Sequence, residues 1–311
     1  MTHFLAIGDL DAVEFNRYLA TARKLKADWK ARGNSSRLKN KTLGMIFQKP
    51  SLRTRVSFDI AMLQLSGHAL YLSPNEIGLG ERESVADVAR VMSRFVDGLM
   101  ARVFAHSHVT ELAAHARVPV INGLSDWEHP CQALGDALTM IEHLKTLKSL
   151  RVAFFGDGNN VARSLMFACA LGGAHFICAS PRGFALDDAS VKRARARARE
   201  SGGSVALTDS PQDAAQNADV LYTDVWASMG QENESKDRAA AMQPFQLNAA
   251  LVARANSRAI VMHCLPAHRG HEITDDVMDG KNSVVFDQAE NRLHAQKAIL
   301  VELMGKAKRK A

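Results

Sequence analysis

The sequence predicts an α/β protein with two lobes, each a parallel β-sheet flanked by helices. Its 311 residues correspond to about two domains at roughly 150 residues per domain. Short apolar runs alternate with longer amphipathic stretches through both halves of the chain, and this alternation is typical of parallel sheets covered by helices. Hydrophobic residues make up 47% of the chain and charged residues 23%, so most of it can fold around a sizeable core.

The predicted elements follow the apolar pattern in order. In the first half, short apolar runs predict strands and helical spacing predicts helices: strands 43–47, 69–72 and 118–122, and helices 55–65, 85–95 and 132–147. The second half repeats the rhythm with strands 151–155, 175–179, 220–224 and 259–263, a helix through 165–171 and a final helix at 288–304. The break at Lys148 and Ser149 predicts a first domain of residues 1–147, with the C-terminal segment 288–311 packing back on it, and a second domain of residues 148–287.

The charge balance leaves several classes of partner open. Lys and Arg exceed Asp and Glu by 39 − 33 = 6, which suits nucleic acid, a membrane surface or a small anion. The arginines at 193, 195, 197 and 199 are spaced two apart and spread around a helix, which favours a solvated face over a nucleic-acid site. No apolar run is long enough to span a membrane, and the N-terminus lacks the pattern of a signal peptide.

The four cysteines indicate the compartment. Cys131, Cys169, Cys178 and Cys264 are scattered and form no C-x-x-C pair, which argues against a zinc ribbon or a thioredoxin-type motif. Such cysteines are typical of buried, reduced thiols in a cytosolic protein. We therefore expect a cytoplasmic protein.

The first motif with chemical potential joins a predicted strand to a predicted helix at 47–55. Ser51 is placed to cap that helix, whose N-terminal amides and dipole favour an anion. Arg53 and Arg55 add positive charge, and Thr54 adds a hydroxyl donor. A phosphate site is the prediction, and an ordinary capped helix with solvated arginines is the alternative.

Two further motifs follow predicted strands. His129 and Gln132 lie at a helix start, where both side chains can hydrogen-bond a carbonyl oxygen. The segment 155–160 resembles the start of a dinucleotide fingerprint, but the G-x-G-x-x-G pattern needs glycine at the position of Val161 and no acidic residue follows the next strand, so NAD binding is disfavoured. Asn160 is instead a donor and acceptor at a helix start.

The last three motifs come from the second half. Asp224 opens the segment 224–230 at a strand end and can hold an ammonium group, and a polar loop is predicted over 230–241. Cys264 lies in the segment 263–270, and Arg292 in the segment 286–292 is predicted to open the last helix.

Taken in order, these six motifs resemble the aspartate/ornithine carbamoyltransferase superfamily over residues 4–303. The S-x-R-T-R and H-P-x-Q patterns mark the superfamily, and D-x-W-x-S-M-G with H-C-L-P is similar to its ornithine-specific branch. The resemblance implies that carbamoyl phosphate and L-ornithine react to give L-citrulline and phosphate in arginine biosynthesis, without a metal or a cofactor. It also implies a cleft between the lobes and a homotrimer, or a multiple of one, with shared active sites.

The resemblance also implies the role of each site residue. The set expected to bind carbamoyl phosphate is Ser51, Leu52, Arg53, Thr54, Arg102, His129, Gln132, Cys264, Leu265 and Arg292. Within that set, the expected catalytic residues are Arg102, His129, Gln132, Cys264 and Arg292, with Cys264 as a lining residue and not a nucleophile. The residues expected to bind ornithine are Asn160, Asp224, Ser228 and Met229.

Two positions depart from the family pattern. Leu52 stands where the family has threonine, which removes one hydroxyl donor to phosphate. Gly78 stands where many relatives have Gln or His reaching into a neighbouring subunit's site. These departures support one alternative, a catalytically inactive binding homologue. A carbamoyltransferase for a modified ornithine or another amine is the second alternative, and the S-M-G pattern at 228–230 argues against it.

Overall fold

The computed structural model of the chain describes residues 2–226 and 235–305, in two compact units. Unit 1 runs to Leu138 and resumes at Asn291, and unit 2 is Thr139–Glu290. Each unit is built around its own parallel sheet, which confirms the predicted fold class. Among the described residues, no helix is long and apolar enough to cross a membrane.

Unit 1 has a four-stranded parallel sheet in the order β2-β1-β3-β4. Its strands are β1 (Thr42–Phe47), β2 (His68–Leu72), β3 (Gly98–Arg102) and β4 (Val120–Leu124). Its helices are α1 (Ala12–Arg32), α2 (Leu52–Gln64), α3 (Pro74–Ile77), α4 (Val85–Met92) and α5 (His106–His115). Helix α6 (Pro130–Leu144) begins in this unit. The sequence pattern missed β3, because its apolar run spans only residues 99–101 and is interrupted by Arg102.

The two faces of this sheet have different coverings. On one face, Ile46, Leu99 and Ala101 form a buried cluster with residues of α4 and α5, such as Val88 and Val109. This cluster fixes the strands from which the polar loops project. On the opposite face of β1, the side chains of Leu43, Met45 and Phe47 are also buried.

Unit 2 has a five-stranded parallel sheet in the order β7-β6-β5-β8-β9. Its strands are β5 (Arg151–Phe155), β6 (His175–Ala179), β7 (Ser204–Thr208), β8 (Val220–Thr223) and β9 (Ile260–His263). Its helices are α7 (Asn160–Gly172), α8 (Asp188–Ser201), α9 (Pro211–Ala215), α10 (Ser235–Met242), α11 (Ala249–Val252) and α12 (Asp275–Met278). Strand β7 was not predicted, because this edge strand is mostly accessible and its apolar run is short.

Some boundaries differ from the predictions. Helix α10 occupies much of the stretch predicted as a loop. The last helix, α13 (Val285–Met304), starts earlier than predicted, so Arg292 lies two turns inside it and does not open it. Helix α8 buries Val191, Ala194 and Ala198 and leaves Arg193 exposed, which agrees with a solvated arginine face. All four cysteines are free and buried, as predicted.

Candidate active site

The motifs lie where the strand order of each sheet reverses. In unit 1 the neighbours β1 and β3 lead in opposite directions across the sheet, and in unit 2 the neighbours β5 and β8 do the same. Ligands of open α/β sheets bind beyond the carboxyl ends of strands at such points. In unit 1 the segment 48–54 follows β1, and Arg102 is the last residue of β3. In unit 2 the segment 156–160 follows β5, and Asp224 follows β8.

In unit 1 the start of α2 has a geometry that suits an anion. Ser51 is the N-cap residue in an extended conformation, and its hydroxyl accepts a hydrogen bond from the Thr54 amide. The dipole and the first amides of α2 therefore favour negative charge at this end. Leu52 is exposed and Arg53 is half-buried in the first turn, whereas Arg55 turns away and stacks over the Tyr71 ring.

Two guanidinium groups converge on this terminus. Arg102 ends β3 and donates from Nη1 to Thr54 Oγ1 at 3.3 Å, while Arg292 donates from Nη2 to the same oxygen at 3.0 Å. Arg102, Arg292 and Thr54 are all buried. Two buried cations beside a helix N-terminus form a site that suits a small dianion.

Glycine at position 135 lets the helix that carries Arg292 approach. A Cβ atom at Gly135 would lie 3.3 Å from both the Cα and the backbone N of Arg292. Helices α6 and α13 thus pass close together at this point, with only a hydrogen between the two backbones. The same approach brings Arg292 alongside the helix that begins after His129.

His129 and Gln132 complete the unit 1 cluster. Burial lowers the pKa of His129 well below its usual range, and the charges of Arg292 and Arg102 lower it further, so the imidazole is neutral near pH 7. Gln132 donates from Nε2 to Asp136 Oδ1 at 2.8 Å. Its buried Oε1 accepts no hydrogen bond from the part of the chain that the structure describes, so it is available to a ligand donor.

In unit 2 the carboxylate of Asp224 is the centre of the second cluster. Its Oδ2 accepts from Asn159 Nδ2 at 2.9 Å, and its Oδ1 accepts from Cys264 Sγ at 3.0 Å. The cap of α7 is Asn159, whose side-chain oxygen accepts from two helix amides, while Asn160 is the first helical residue. The sequence pointed to Asn160 and missed Asn159, because either of two adjacent asparagines can serve as a cap.

The first residue of the H-C-L-P segment, His263, fixes the conformation of the segment through hydrogen bonds. Its Nδ1 accepts from the Leu265 amide at 2.9 Å, and its Nε2 lies 3.1 Å from Glu272 Oε1, so the proton is assigned to Nε2. Both side chains are fully buried. The ligand atoms of His263, Cys264 and Asp224 lie within 4.8 Å of one another, but each already takes part in a hydrogen bond, which a metal ion would have to displace.

A buried ion pair that the sequence did not reveal lies next to Asp224. Arg238 of α10 pairs with Asp157, donates from Nε to the Trp226 carbonyl oxygen at 3.1 Å, and lies over the Phe184 ring with its guanidinium carbon 4.8 Å from the centroid. Burial raises the pKa of Asp157, and the Arg238 charge acts against this rise. The only sequence signal for this ion pair is the acidic Asp157 in the G-D-G segment. The sequence does not identify Arg238 as its partner, because the fold brings the two residues together.

Each unit thus brings together most of its predicted residues. Ser51, Leu52, Arg53, Thr54, Arg102, His129, Gln132 and Arg292 gather in unit 1, and Asn160, Asp224, Cys264 and Leu265 in unit 2. Ser228 and Met229 lie outside the described residues. Gly78 has a φ of 49°, and a Cβ there would lie 2.8 Å from Arg82 Cβ, so the loop conformation favours glycine.

Comparison with known proteins gives a consistent family. The model of the carbamoyl phosphate-binding domain of aspartate/ornithine carbamoyltransferases matches residues 2–142, and that of the aspartate/ornithine-binding domain matches residues 148–303. The anabolic ornithine carbamoyltransferase of Pyrococcus furiosus is 54% identical over 302 residues, covering 97% of this chain and 96% of that protein. The ornithine carbamoyltransferase of Anoxybacillus flavithermus is 50% identical, with coverage of 97% and 96%.

Solved structures agree with the sequence comparisons. The ornithine carbamoyltransferase structure from Pyrococcus furiosus superposes with a TM-score of 0.96 at 53% identity and covers 98% of each chain. The structure from Gloeobacter violaceus has a TM-score of 0.86 at 44% identity and covers 97% of this chain and 100% of its own. The resemblance inferred from the motifs is confirmed, and the chain belongs to the aspartate/ornithine carbamoyltransferase family.

Proposed function

We propose that the protein transfers the carbamoyl group of carbamoyl phosphate to the δ-amine of L-ornithine, giving L-citrulline and phosphate, in the direction of arginine biosynthesis. The observation that carries the proposal is the convergence of the buried Arg102 and Arg292 on Thr54 at the start of α2. The relatives at about half identity are named ornithine carbamoyltransferases, and one of them is named anabolic.

The unit 1 cluster is proposed to hold carbamoyl phosphate. Ser51, Arg53, Thr54 and the Leu52 amide surround the phosphate group at the positive end of α2. Arg102 and Arg292 neutralise the charge that the phosphate carries and that grows when it leaves. Removing one such donor typically lowers the rate by about 10²–10³-fold.

His129 and Gln132 are proposed to orient the carbamoyl group. The neutral imidazole of His129 can donate to the carbonyl oxygen without adding a full charge. Gln132 Oε1 is an acceptor, which matches the amide hydrogens of the carbamoyl group. The neutral δ-amine attacks the carbonyl carbon and the new C–N bond forms. The bond between the carbonyl carbon and the phosphate oxygen breaks, and phosphate leaves with that electron pair and takes up the proton that the amine loses.

The unit 2 cluster is proposed to hold ornithine. Asp224 offers a carboxylate to the α-ammonium group, and Asn160, Ser228 and Met229 are the further ornithine-binding residues. Cys264 and Leu265 line the place where the carbamoyl group is transferred. Cys264 Sγ donates to Asp224, and this contact fits a thiol that orients the carboxylate and does not act as a nucleophile.

The domain assignment follows the two clusters. Residues 1–147 with the segment 288–311 are proposed to form the carbamoyl phosphate-binding domain, and residues 148–287 the ornithine-binding domain. Separate family models matching residues 2–142 and 148–303 support the division.

A homotrimer, or a multiple of one, is the proposed assembly. Leu52, Val56 and Leu63 lie within about 40° of one another around α2 and are 48–75% exposed. Leu70 on the edge strand β2 is 42% exposed. An apolar stripe beside an open sheet edge fits an interface with other copies of the chain. Leu63→Glu should lower the oligomer mass measured by light scattering, and an unchanged mass would place the interface elsewhere.

A cytoplasmic location is proposed from the thiols. All four cysteines are reduced and buried, which fits a reducing compartment. Fractionation of cells that express the tagged chain should recover it with cytoplasmic markers, and recovery with membranes or medium would contradict this.

Purified protein mixed with carbamoyl phosphate and a panel of amines tests the activity. Citrulline and phosphate should appear in equal amounts with L-ornithine. Turnover only with a modified ornithine or another amine would replace the proposed acceptor, and no turnover with any amine would favour an inactive binding homologue. Arg53→Ala should lose activity while the fold is retained, whereas Arg195→Ala, a change on the exposed face of α8, should not.

A further inference from the structure

Arg238 makes three contacts of different kinds in unit 2. Its guanidinium pairs with the Asp157 carboxylate, its Nε donates to the Trp226 carbonyl oxygen, and its face packs against the Phe184 ring. The Arg238 and Asp157 side chains are only 10% and 15% exposed. A guanidinium with these contacts has a single position, because its planar fork fixes the directions of its hydrogen bonds.

The contacted segments flank the proposed acceptor carboxylate on both sides. Asp157 lies two residues before Asn159, and Asn159 donates to Asp224. Trp226 lies two residues after Asp224. Arg238 therefore joins the turn after β5 to the segment after β8, and Asp224 is held between them.

The turn on the Asp157 side is closely packed. A Cβ atom at Gly158 would lie 2.4 Å from the backbone N of Leu186, so this turn already touches a neighbouring loop. A Cβ at Gly156 would lie 3.5 Å from Cδ1 of the Trp226 indole. The contact with the Trp226 carbonyl oxygen therefore joins the 224–226 segment, through Arg238, to a closely packed turn.

We propose that Arg238 is a positioning residue that sets the affinity for the amino-acid acceptor by fixing Asp224 through Asp157 and Trp226. The inference rests on the proposed function, since it takes Asp224 as the ligand of the ornithine ammonium group. A buried ion pair contributes little net stability after its desolvation, so a positional role accounts for its presence better than a stabilising one. Burial raises the pKa of Asp157, and the nearby Arg238 charge favours its ionised, pairing form.

Steady-state kinetics of Arg238→Met with both substrates test the inference. The KM for ornithine should rise about 10- to 100-fold, because a misplaced Asp224 loses a charge-assisted hydrogen bond to the ammonium group. The KM for carbamoyl phosphate should change by less than about twofold. Arg238→Lys keeps the charge but not the second donor, and its KM for ornithine should lie between those of wild type and Arg238→Met.

A second variant and a control keep the result unambiguous. Asp157→Asn should also raise the KM for ornithine. The KM of the double variant should not exceed that of the more impaired single variant, because both changes break the same ion pair. Arg195→Met removes an arginine whose Nε donates to the Val205 carbonyl oxygen of β7, an edge strand that is separated from β8 by two other strands. This variant should leave both KM values unchanged. If Arg238→Met does not fold, the comparison of Arg238→Lys with Asp157→Asn carries the test.

Several outcomes would overturn the inference. Equal increases in both KM values, or increases that multiply in the double variant, would show that Arg238 does not act through Asp224. A normal ornithine KM in folded Arg238→Lys and Asp157→Asn would do the same. The wild-type reaction with ornithine is measured first. If wild type does not use ornithine, the proposed function fails and this inference fails with it, whereas an active wild type with unaffected variants refutes this inference alone.

Discussion

Replacing Thr54 by valine removes one atom on which the proposed phosphate site depends. Valine has the same shape, but it lacks the Oγ1 that accepts from Arg102 at 3.3 Å and from Arg292 at 3.0 Å. Hydrogen bonds to charged groups contribute about 1.5–3 kcal/mol each, so the loss of both should destabilise the ligand-free protein by about 3–6 kcal/mol. Activity should fall by about 10²–10³-fold, because both guanidinium groups lose their alignment.

Added phosphate should reverse part of this destabilisation, because its oxygens offer the two guanidinium groups new acceptors. The assay is urea unfolding of Thr54→Val with and without saturating phosphate, together with citrulline formation. Thr223→Val is the matched control in unit 2, since this buried threonine donates to the Phe155 carbonyl oxygen at 2.9 Å. Phosphate should stabilise that control as much as wild type. A Thr54→Val deficit that phosphate does not reduce, with near-normal activity, would refute the site.

Three further changes probe other parts of the site. Gly135→Ala should lower stability by about 1–3 kcal/mol and reduce activity, because its Cβ would press on the Arg292 backbone. Thermal melting and steady-state kinetics measure the two effects, and an unchanged Tm with normal activity would contradict this prediction. His129→Gln should flatten the fall of stability below pH 6.5. The folded-state pKa of His129 is lowered, so below pH 6.5 the unfolded state binds one more proton and wild type loses up to about 1.4 kcal/mol per pH unit from this group. Urea unfolding at pH 5, 6 and 7 measures the two slopes, and equal slopes would mean that the histidine is charged in the folded protein. Asp224→Ala should raise the KM for ornithine far more than that for carbamoyl phosphate, and equal increases in steady-state kinetics would argue against its role with the ammonium group.

The sequence predicted what local pattern controls. Apolar runs located most of the strands, and Ser51 before a helical stretch predicted the cap that the structure contains. The five-residue strands β3 and β7 were missed, since the short apolar run of β3 is interrupted by Arg102 and β7 is a mostly accessible edge. Asn159 was missed because its role depends on which of two asparagines starts the helix.

Pairings between distant residues could not be predicted from spacing. Arg292 was expected in the site from family resemblance, but only the close passage of its backbone at Gly135 explains how it gets there. Arg238 carries no local signal, because its partner Asp157 lies 81 residues earlier in the chain. Side-chain pairs of this kind follow from the order of the strands, which periodicity alone does not give.

The return of the chain to unit 1 in α13 has a consequence for synthesis. Arg292 meets Thr54 across 238 residues, and on the same helix Lys297 donates to Gln64 and Asn291 accepts from Lys26. All four strands of the unit 1 sheet therefore leave the ribosome before the helix that completes this unit has been made. Unit 1 has to wait for the whole of unit 2 to emerge before its buried cations find their places. A chain truncated before residue 285 would contain every strand that the structure describes, but it would lack Arg292, one of the two guanidinium groups that contact Thr54.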